Sequence, residues 1–419
     1  MPYPGRGHIN PMLNLCKLIA SRNSEIQLNF VVTEEWFGFL SSEIKPANFR
    51  FNTIPNVVPS EIGRGADFPG FYEATLTKLG DPFERFLDRL EPPRPSVIIY
   101  DTYMSWVVGV GNRRNIPVAS LFTMSSSVYS FFHHFDLLVQ NGHFPADVSE
   151  RGNEIVLHRA LEAFAWVPKG QYLLLTSIYE LEAQTIDALK AKFAIPIYSI
   201  GPAIPYFSLG ENSTTTGHND SYVQWLDSQP ESSVLYISQG SFLSVSSAQM
   251  DEIVAGVKDS GVTFFWVARA EASRIKEGCG DNGLVVPWCD QLKVLCHSSV
   301  GGFWSHCGWN STKEGIFGGV PMLGLPIFWD QMPNSKLIVE DWKIGRKVME
   351  EAGARNLVTR QGIAKLVQRF MDLESDEGKE MRRRARELRD ICRRAVAEGG
   401  SAQANIDAFI KDISQCRNH

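Results

Sequence analysis

The stretch that decides the fold is SVGGFWSHCGWNSTKEGIFGGVPMLGLPIFW, residues 299–329. Its first apolar run, residues 299–304, predicts a strand, the residues after Asn310 predict a helix, and residues 321–329 predict a second strand. This order is typical of a parallel βαβ unit, in which functional groups gather at the carboxyl ends of the strands. The nine residues HCGWNSTKE, 306–314, follow such a strand end and are the first candidates for a functional site.

The same alternation of short apolar runs and helical periods extends in both directions and predicts an α/β protein with two domains. The other predicted strands are residues 28–33, 96–101, 115–122, 234–241 and 262–269. A helix is expected just after GRGH, with Pro11 in its first turn, and the last ~60 residues are expected to be helical. Residues 201–220, rich in Gly, Pro, Ser and Thr, are typical of a linker.

These elements predict two Rossmann-like, doubly wound domains facing across a cleft. We assign residues 1–200 to the first domain, 201–220 to the linker and 221–395 to the second domain. Residues 396–419 are expected to form a helix that returns to the first domain.

Composition narrows the function classes. The chain of 419 residues carries 41 Lys and Arg against 47 Asp and Glu, which gives no support to a nucleic-acid or anionic-membrane partner. No apolar run reaches the ~20 residues of a membrane span, and MPYPGRGHIN does not resemble a secretory leader. Seven scattered cysteines fit reduced thiols. We expect a cytoplasmic, monomeric protein.

Two further junctions carry titratable side chains. His8 lies in PGRGHINP, where a helix begins, and Asp101 ends the predicted strand 96–101. Each has a simpler interpretation, since a histidine can form a structural hydrogen bond at the start of a helix and an aspartate can cap a turn. If their strands are neighbours, Asp101 can accept a hydrogen bond from one nitrogen of His8 and leave the other to act as a base.

The stretch 306–314 allows three interpretations. A zinc site is disfavoured because the chain has neither a C-x-x-C pair nor an H-x₃₋₅-H spacing. Ser311 and Glu314 match an S-x-x-E capping box, with Ser311 as the N-cap. The start of that helix would also attract an anion, to which His306 could donate a hydrogen bond. A phosphate or pyrophosphate is the natural ligand.

Other side chains at predicted strand ends suit a nucleotide sugar. Trp288 offers a flat ring for stacking a base, and Asp330 with Gln331 suits vicinal hydroxyl groups. Taken singly, a core tryptophan and a turn are the simpler interpretations. A nicotinamide-dependent oxidoreductase is disfavoured because PGRGH lacks the third glycine of G-x-G-x-x-G.

The 44 residues from Trp288 to Gln331, with HCGWNS-x-x-E inside and D-Q at the end, resemble the signature box of plant family-1 UDP-dependent glycosyltransferases. The resemblance extends from PYPGRGHINPM to NSKLIVEDWKIG. It implies the two-domain fold called GT-B, with acceptor bound by the first domain and UDP-sugar by the second. It also implies an inverting transfer that needs no metal or other cofactor.

The resemblance also implies a role for each matching residue. Trp288 would stack on uracil and Gln291 and Glu314 would hold the ribose; His306, Asn310, Ser311 and Ser241 would hold the pyrophosphate; Trp309, Asp330, Gln331 and Thr123 would contact the sugar; His8 would be the base and Asp101 its partner. Gln331 predicts glucose as the sugar, and the acceptor is expected to be a flavonoid or other phenolic hydroxyl.

Departures from the family pattern raise a rival interpretation. The first strand looks truncated, and the segment after residue 156 looks shortened by roughly two dozen residues. Unusual residues within the motifs are Gln239, Lys313, Gly315, Gly318 and Gly324. Glycine in a helix costs about 1 kcal/mol relative to alanine. The rival is therefore a truncated relative that binds UDP-sugar but turns over weakly or not at all.

Overall fold

The structure is a computed structural model that describes residues 1–41, 43, 45–142, 154–210, 221–240, 245–268, 272–351 and 358–415. The chain divides into two compact units. The first unit comprises Met1–Ala203 and Ala395–His419, and the second comprises Ile204–Arg394.

The strands are β1 Leu28–Thr33, β2 Phe49–Ile54, β3 Ile98–Asp101, β4 Val118–Phe122, β5 Tyr172–Leu175, β6 Ile197–Ser199, β7 Val234–Ser238, β8 Phe264–Val267, β9 Gly283–Val286, β10 Val300–Ser305, β11 Met322–Gly324 and β12 Gly345–Lys347. The helices are α1 Arg6–Arg22, α2 Glu34–Leu40, α3 Phe68–Lys78, α4 Gly80–Asp88, α5 Trp106–Arg114, α6 Ser126–His133, α7 Phe135–Gln140, α8 Glu154–Trp166, α9 Ala183–Lys192, α10 Ser221–Asp227, α11 Ser247–Ser260, α12 Ala272–Cys279, α13 Gln291–Leu295, α14 Trp309–Gly318, α15 Gln331–Lys336, α16 Val348–Glu351, α17 Arg360–Met371, α18 Asp376–Val396 and α19 Ser401–Gln415. None of the helices in the described ranges is long and apolar enough to cross a membrane.

The first unit contains a four-stranded parallel sheet, β3-β4-β5-β6, and a separate parallel pair, β1-β2. On the side of β3 that faces away from β4, the N–H of Asp101 donates to the carbonyl of Met1 at 3.2 Å. Within the described residues no strand precedes α1. The helix α19 packs here, with Phe409 against the rings of Tyr172 and Tyr198 at 5.6 and 5.7 Å.

The second unit is built on one six-stranded parallel sheet in the order β12-β11-β10-β7-β8-β9. Strands β7 and β10 are neighbours at its centre, and Ser238 pairs with Ser305 at their carboxyl ends. Whatever follows these two serines is therefore brought together. The core beneath is apolar and includes the fully buried rings of Trp266 and Trp304.

Several boundaries differ from the sequence prediction. The predicted strand 28–33 matches β1, but the predicted strand 321–329 ends at Gly324, because Pro326 cannot donate to a ladder. The first helix begins at Arg6, so His8 lies within its first turn and Pro11 is the sixth residue rather than a first-turn residue. One helix, α8, spans the segment predicted to be shortened.

The unexpected glycines near α14 are explained by close packing. A Cβ at Gly318 would lie 2.4 Å from the carbonyl oxygen of Leu295, and a Cβ at Gly324 would lie 2.8 Å from the Sγ of Cys307. The low helix propensity of glycine remains, but a side chain at Gly318 would force α13 and α14 apart.

Candidate functional site

His8 and Asp101 form a hydrogen-bonded pair in the first unit. The Nδ1 of His8 lies 2.8 Å from Asp101 Oδ2, and the imidazole is 22% exposed whereas the carboxylate is 1% exposed. The other carboxylate oxygen, Oδ1, accepts from the N–H of Tyr103 at 3.1 Å. A carboxylate cannot donate, so the proton lies on Nδ1 and the Nε2 lone pair is left as a base.

The surroundings of His8 are aromatic. The rings of Tyr3 and Tyr103 have centroids 4.9 and 5.7 Å from the imidazole, and Tyr72 lies 5.7 Å from Tyr103. Thr123, predicted to contact the sugar, places its hydroxyl 3.0 Å from His8 Nδ1. The three tyrosine rings are themselves buried, so they hold the imidazole in an aromatic environment.

The helix start in the second unit differs from the predicted one. The helix α14 begins at Trp309 with Gly308 as its N-cap and no side-chain cap, so the prediction of Ser311 as N-cap is wrong. Cys307 adopts a left-handed conformation with φ 65°, which turns the chain sharply after β10, and the helix starts three residues earlier than an N-cap at Ser311 would place it. The amino end of α14 keeps its partial positive charge for a ligand.

His306 is packed between two glycines. A Cβ on Gly240 would lie 2.7 Å from His306 Nε2, and a Cβ on Gly308 would lie 2.4 Å from it. Burial lowers the pKa of His306 to about 4, although a hydrogen bond with the backbone of Ser238 opposes that shift. The imidazole is therefore neutral near pH 7. Its buried Nδ1 has no hydrogen-bond partner within the described part of the chain.

Gln291, Ser311 and Glu314 form one hydrogen-bonded cluster between α13 and α14. The Nε2 of Gln291 donates to Ser311 Oγ at 3.0 Å and to the carboxylate of Glu314. Its Oε1 accepts from the hydroxyl of Tyr236 at 3.0 Å. Burial is the main cause that raises the pKa of Glu314 to about 7. The cluster can present a carboxylate to the hydroxyls of a ligand.

Asp330 is tied to the turn before α14. The amide nitrogen of Asn334 donates to Asp330 Oδ2 at 2.8 Å and to the carbonyl of Cys307 at 3.0 Å. Gln331 Oε1 accepts from the backbone N–H groups of residues 327 and 328 at 2.7 and 2.9 Å, which leaves its amide nitrogen as a donor. Both side chains are thus held by hydrogen bonds and place polar groups at the carboxyl end of the sheet.

The remaining predicted residues differ in placement. The Trp288 ring is 53% exposed after β9 and suits stacking, whereas the Trp309 side chain is buried and lies 6.4 Å from the ring of Trp342. Asn310 occupies the second position of α14. Ser241 lies outside the described residues. A contact from Trp309 to a ligand would thus come from its backbone.

Comparison with known proteins decides the family. The family model described as UDP-glucoronosyl and UDP-glucosyl transferase matches residues 202–365. UDP-glycosyltransferase 87A1 from Arabidopsis thaliana is 52% identical over 441 aligned residues, which cover 99% of this chain and 100% of that relative. The chain belongs to the UDP-glycosyltransferase family. Its activity is the transfer of a sugar from a UDP-sugar donor.

The GT-B fold predicted for this UDP-glycosyltransferase is confirmed by solved structures. Os79 from O. sativa, in complex with U2F and trichothecene, has a TM-score of 0.86 at 24% identity, covering 99% of each chain. UGT71G1 from Medicago truncatula, complexed with UDP-glucose, has a TM-score of 0.81 at 23% identity, covering 98% of this chain and 97% of that one. At such identities the likeness shows the fold.

Two departures from the family pattern can be examined in the same alignment. The alignment with the 87A1 relative has 441 positions against 419 residues in this UDP-glycosyltransferase, so it opens gaps in this chain. It spans all of that relative and gives the predicted truncation of the first strand no support. That truncation stays a prediction.

Two features of the site were missed by sequence reasoning. Tyr236 looked like one more apolar residue of β7, although its hydroxyl reaches Gln291. Gly240 has φ 83° and lies against His306. A glycine directly after a predicted strand was the feature of the sequence that could have indicated this close contact. Lys313, noted as unusual, is 2% exposed, with its Nζ 6.0 Å from the ring of Trp309.

Proposed function

We propose that this enzyme transfers glucose from UDP-glucose to a hydroxyl of a small phenolic acceptor, with inversion at the anomeric carbon and His8 as general base. The observation that carries the proposal is the 2.8 Å contact between His8 Nδ1 and Asp101. It fixes the tautomer in which Nε2 can accept a proton. We assign acceptor binding to the first unit and donor binding to the second.

In the proposed reaction, Nε2 of His8 takes the proton of the acceptor hydroxyl. The acceptor oxygen bonds to the anomeric carbon while the bond from that carbon to the phosphate oxygen breaks, and UDP leaves with the electron pair. Asp101 stabilises the imidazolium that forms, since its carboxylate is buried and already oriented. The proton balance closes when His8 returns its proton to water.

The departing UDP gains negative charge at the start of α14. The N–H groups of the uncapped helix end are the proposed donors to that charge. His306 is assigned to the same pyrophosphate, to which it can donate only if its one N–H leaves the Ser238 backbone. We also assign Asn310, Ser311 and Ser241 to the pyrophosphate and Trp288 to uracil. Gln291 and Glu314 are assigned to the ribose.

The choice of glucose rests on Gln331 and Asp330. The amide nitrogen of Gln331 and the carboxylate of Asp330 offer a donor and an acceptor to neighbouring hydroxyls. We assign the Trp309 backbone and Thr123 to the same sugar. The Medicago protein complexed with UDP-glucose is a precedent for this donor in the same fold.

The choice of a phenolic acceptor rests on the rings around His8. Tyr3, Tyr72 and Tyr103 make the surroundings of His8 aromatic and apolar, and because all three rings are themselves buried they favour an aromatic acceptor through this environment and not as open stacking faces. A UDP-glucose: anthocyanidin 3-O-glucosyltransferase with the same fold is the precedent for such an acceptor. Flavonoids and simpler phenols are therefore the first compounds to test.

The test is an assay of purified protein with UDP-glucose or UDP-galactose and a panel of phenols. We expect UDP release and glycoside formation with UDP-glucose, and loss of product in His8→Ala while calorimetry still detects UDP-glucose binding. Binding without product in the unmutated protein would favour the rival that does not turn over. Absence of binding by either UDP or UDP-glucose would sink the assignment of the α14 start.

A further inference from the structure

We infer that Tyr236 is a positioning residue for ribose recognition, which fixes the Gln291 amide so that the Glu314 carboxylate faces the ribose hydroxyls. The inference rests on the proposed function, in which Gln291 and Glu314 hold the ribose. It adds a residue from the central strand β7 that has no assigned role in the donor site. It also divides the work of the other two residues.

Tyr236 is rigidly held. Its side chain is 1% exposed, and its ring stacks on Phe303 at 5.0 Å and lies 5.8 Å from Phe265. Burial raises the pKa of its hydroxyl well above the usual value, so the group stays protonated and can donate. A donor at a fixed point can select one end of a neighbouring amide.

The amide of Gln291 is the group selected. Its Oε1 receives the Tyr236 hydroxyl at 3.0 Å, which turns Nε2 toward Ser311 and Glu314. Both N–H groups of the amide are then in use, so Gln291 serves the ribose by holding Glu314. The carboxylate retains lone pairs that can accept from a ribose hydroxyl.

Without the Tyr236 hydroxyl, the amide loses its orientation. Rotation by half a turn would place Oε1 against the Glu314 carboxylate, where two acceptors repel each other. The Glu314 side chain would then either move or take up a proton, and each change weakens its acceptance from a hydroxyl. The loss should therefore appear for ligands that carry the ribose hydroxyls and not for those that lack them.

The experiment measures dissociation constants of UDP, 2′-deoxy-UDP and 3′-deoxy-UDP by calorimetry on the full chain. Wild-type protein should prefer UDP to at least one deoxy analogue. Tyr236→Phe should weaken UDP binding by about 5- to 10-fold, the effect of one hydrogen bond, and leave that analogue nearly unchanged. Tyr129→Phe is the matched control, because Tyr129 is also fully buried but its hydroxyl has no partner within the described residues.

A second pair of variants separates orientation from a general loss of packing. Gln291→Met should weaken UDP as much as Tyr236→Phe, and the double variant should add little to either. Equal weakening of UDP and both analogues by Tyr236→Phe, or additive losses in the double variant, would overturn the inference. Failure of wild-type protein to bind UDP would instead overturn the proposed function.

Discussion

Each of the two units contains one candidate histidine, and the two histidines lie in opposite surroundings. His8 is partly exposed and its Nδ1 is paired with a buried carboxylate. His306 is packed between Gly240 and Gly308, its pKa is lowered by burial to about 4, and its Nδ1 has no hydrogen-bond partner in the described ranges. The exposed nitrogen of the first can therefore take up a proton, whereas the second stays neutral and uses its one N–H on the Ser238 backbone.

The same contrast extends to the neighbouring groups. Both oxygens of Asp101 are occupied, one by His8 and one by the Tyr103 N–H, so this pair is already oriented in the first unit. In the second unit, the start of α14 has no side-chain cap. A buried polar group without a partner costs about 1–3 kcal/mol, which a ligand can recover on binding. The comparison teaches that the His8–Asp101 pair of the first unit is preformed, whereas the start of α14 in the second unit keeps N–H groups without a side-chain cap.

The largest effect should come from breaking the preformed His8–Asp101 pair. In Asp101→Asn, the amide oxygen should turn to the Tyr103 N–H, which places the amide NH₂ against His8 Nδ1. That nitrogen must then accept, so the imidazole proton moves to Nε2 and blocks the base. We expect kcat to fall about 10³-fold with unchanged UDP-glucose affinity, measured by steady-state kinetics and calorimetry.

The control for this prediction is Asp407→Asn. Asp407 pairs with Arg22 at 2.8 Å on the surface of the same unit, with a side chain 52% exposed. Asp407→Asn should leave kcat unchanged. A kcat within threefold of wild type in Asp101→Asn would contradict the tautomer argument.

The next effect should come from crowding the second histidine. Gly308 has φ −61° and ψ 142°, which any residue can adopt, so Gly308→Ala tests only the space beside His306. Because the imidazole must move from a Cβ at 2.4 Å, we expect UDP-glucose to bind about tenfold more weakly. Calorimetry provides the measurement.

The matched control is Gly38→Ala in α2, where an added Cβ meets nothing within 4 Å. It should leave the affinity for UDP-glucose as it is. Unaltered affinity in Gly308→Ala would mean that the position of His306 does not matter for the donor.

A smaller effect should appear in the pH dependence of donor binding. Burial raises the pKa of Glu314 to about 7 in the free protein, and ribose hydroxyls favour the ionised form. Binding therefore releases a proton, and affinity should increase as pH rises. We expect UDP-glucose, which has no group that titrates between pH 6 and 8, to bind up to about tenfold more tightly at pH 8 than at pH 6.

Glu314→Gln should remove this dependence and weaken binding at pH 8, while thermal denaturation shows a folded protein. His306 cannot cause the slope, because the pKa of its imidazole is lowered to about 4. A slope of opposite sign, or one that survives in Glu314→Gln, would count against the role of this carboxylate.

Much of this organisation was predictable from sequence. Apolar runs bounded by turn residues located β1 and β10. The contact of Asp101 with His8 was predicted from an aspartate at the end of one strand and a histidine at the start of the helix that begins at PGRGH. Periodicity reports which residues are buried, and parallel sheets gather their carboxyl ends.

The start of α14 was not predictable in the same way. The S-x-x-E pattern at Ser311 matches a capping box, but the left-handed turn at Cys307 starts the helix at Trp309. Nothing in the amino-acid sequence indicates that a cysteine will adopt a positive φ. The Tyr236 contact was missed for a related reason. The sequence pattern predicts that the ring of a strand residue is buried, but it does not predict which group its hydroxyl contacts.

The most direct test of the division of labour is to measure His8→Ala and His306→Ala side by side. For each, the UDP-glucose dissociation constant and the single-turnover rate with saturating donor and a phenolic acceptor are determined. We predict that His8→Ala keeps the dissociation constant within about twofold and loses about 10³-fold in rate, whereas His306→Ala raises the dissociation constant about tenfold. Weakened donor binding in His8→Ala together with a near wild-type rate would contradict the account.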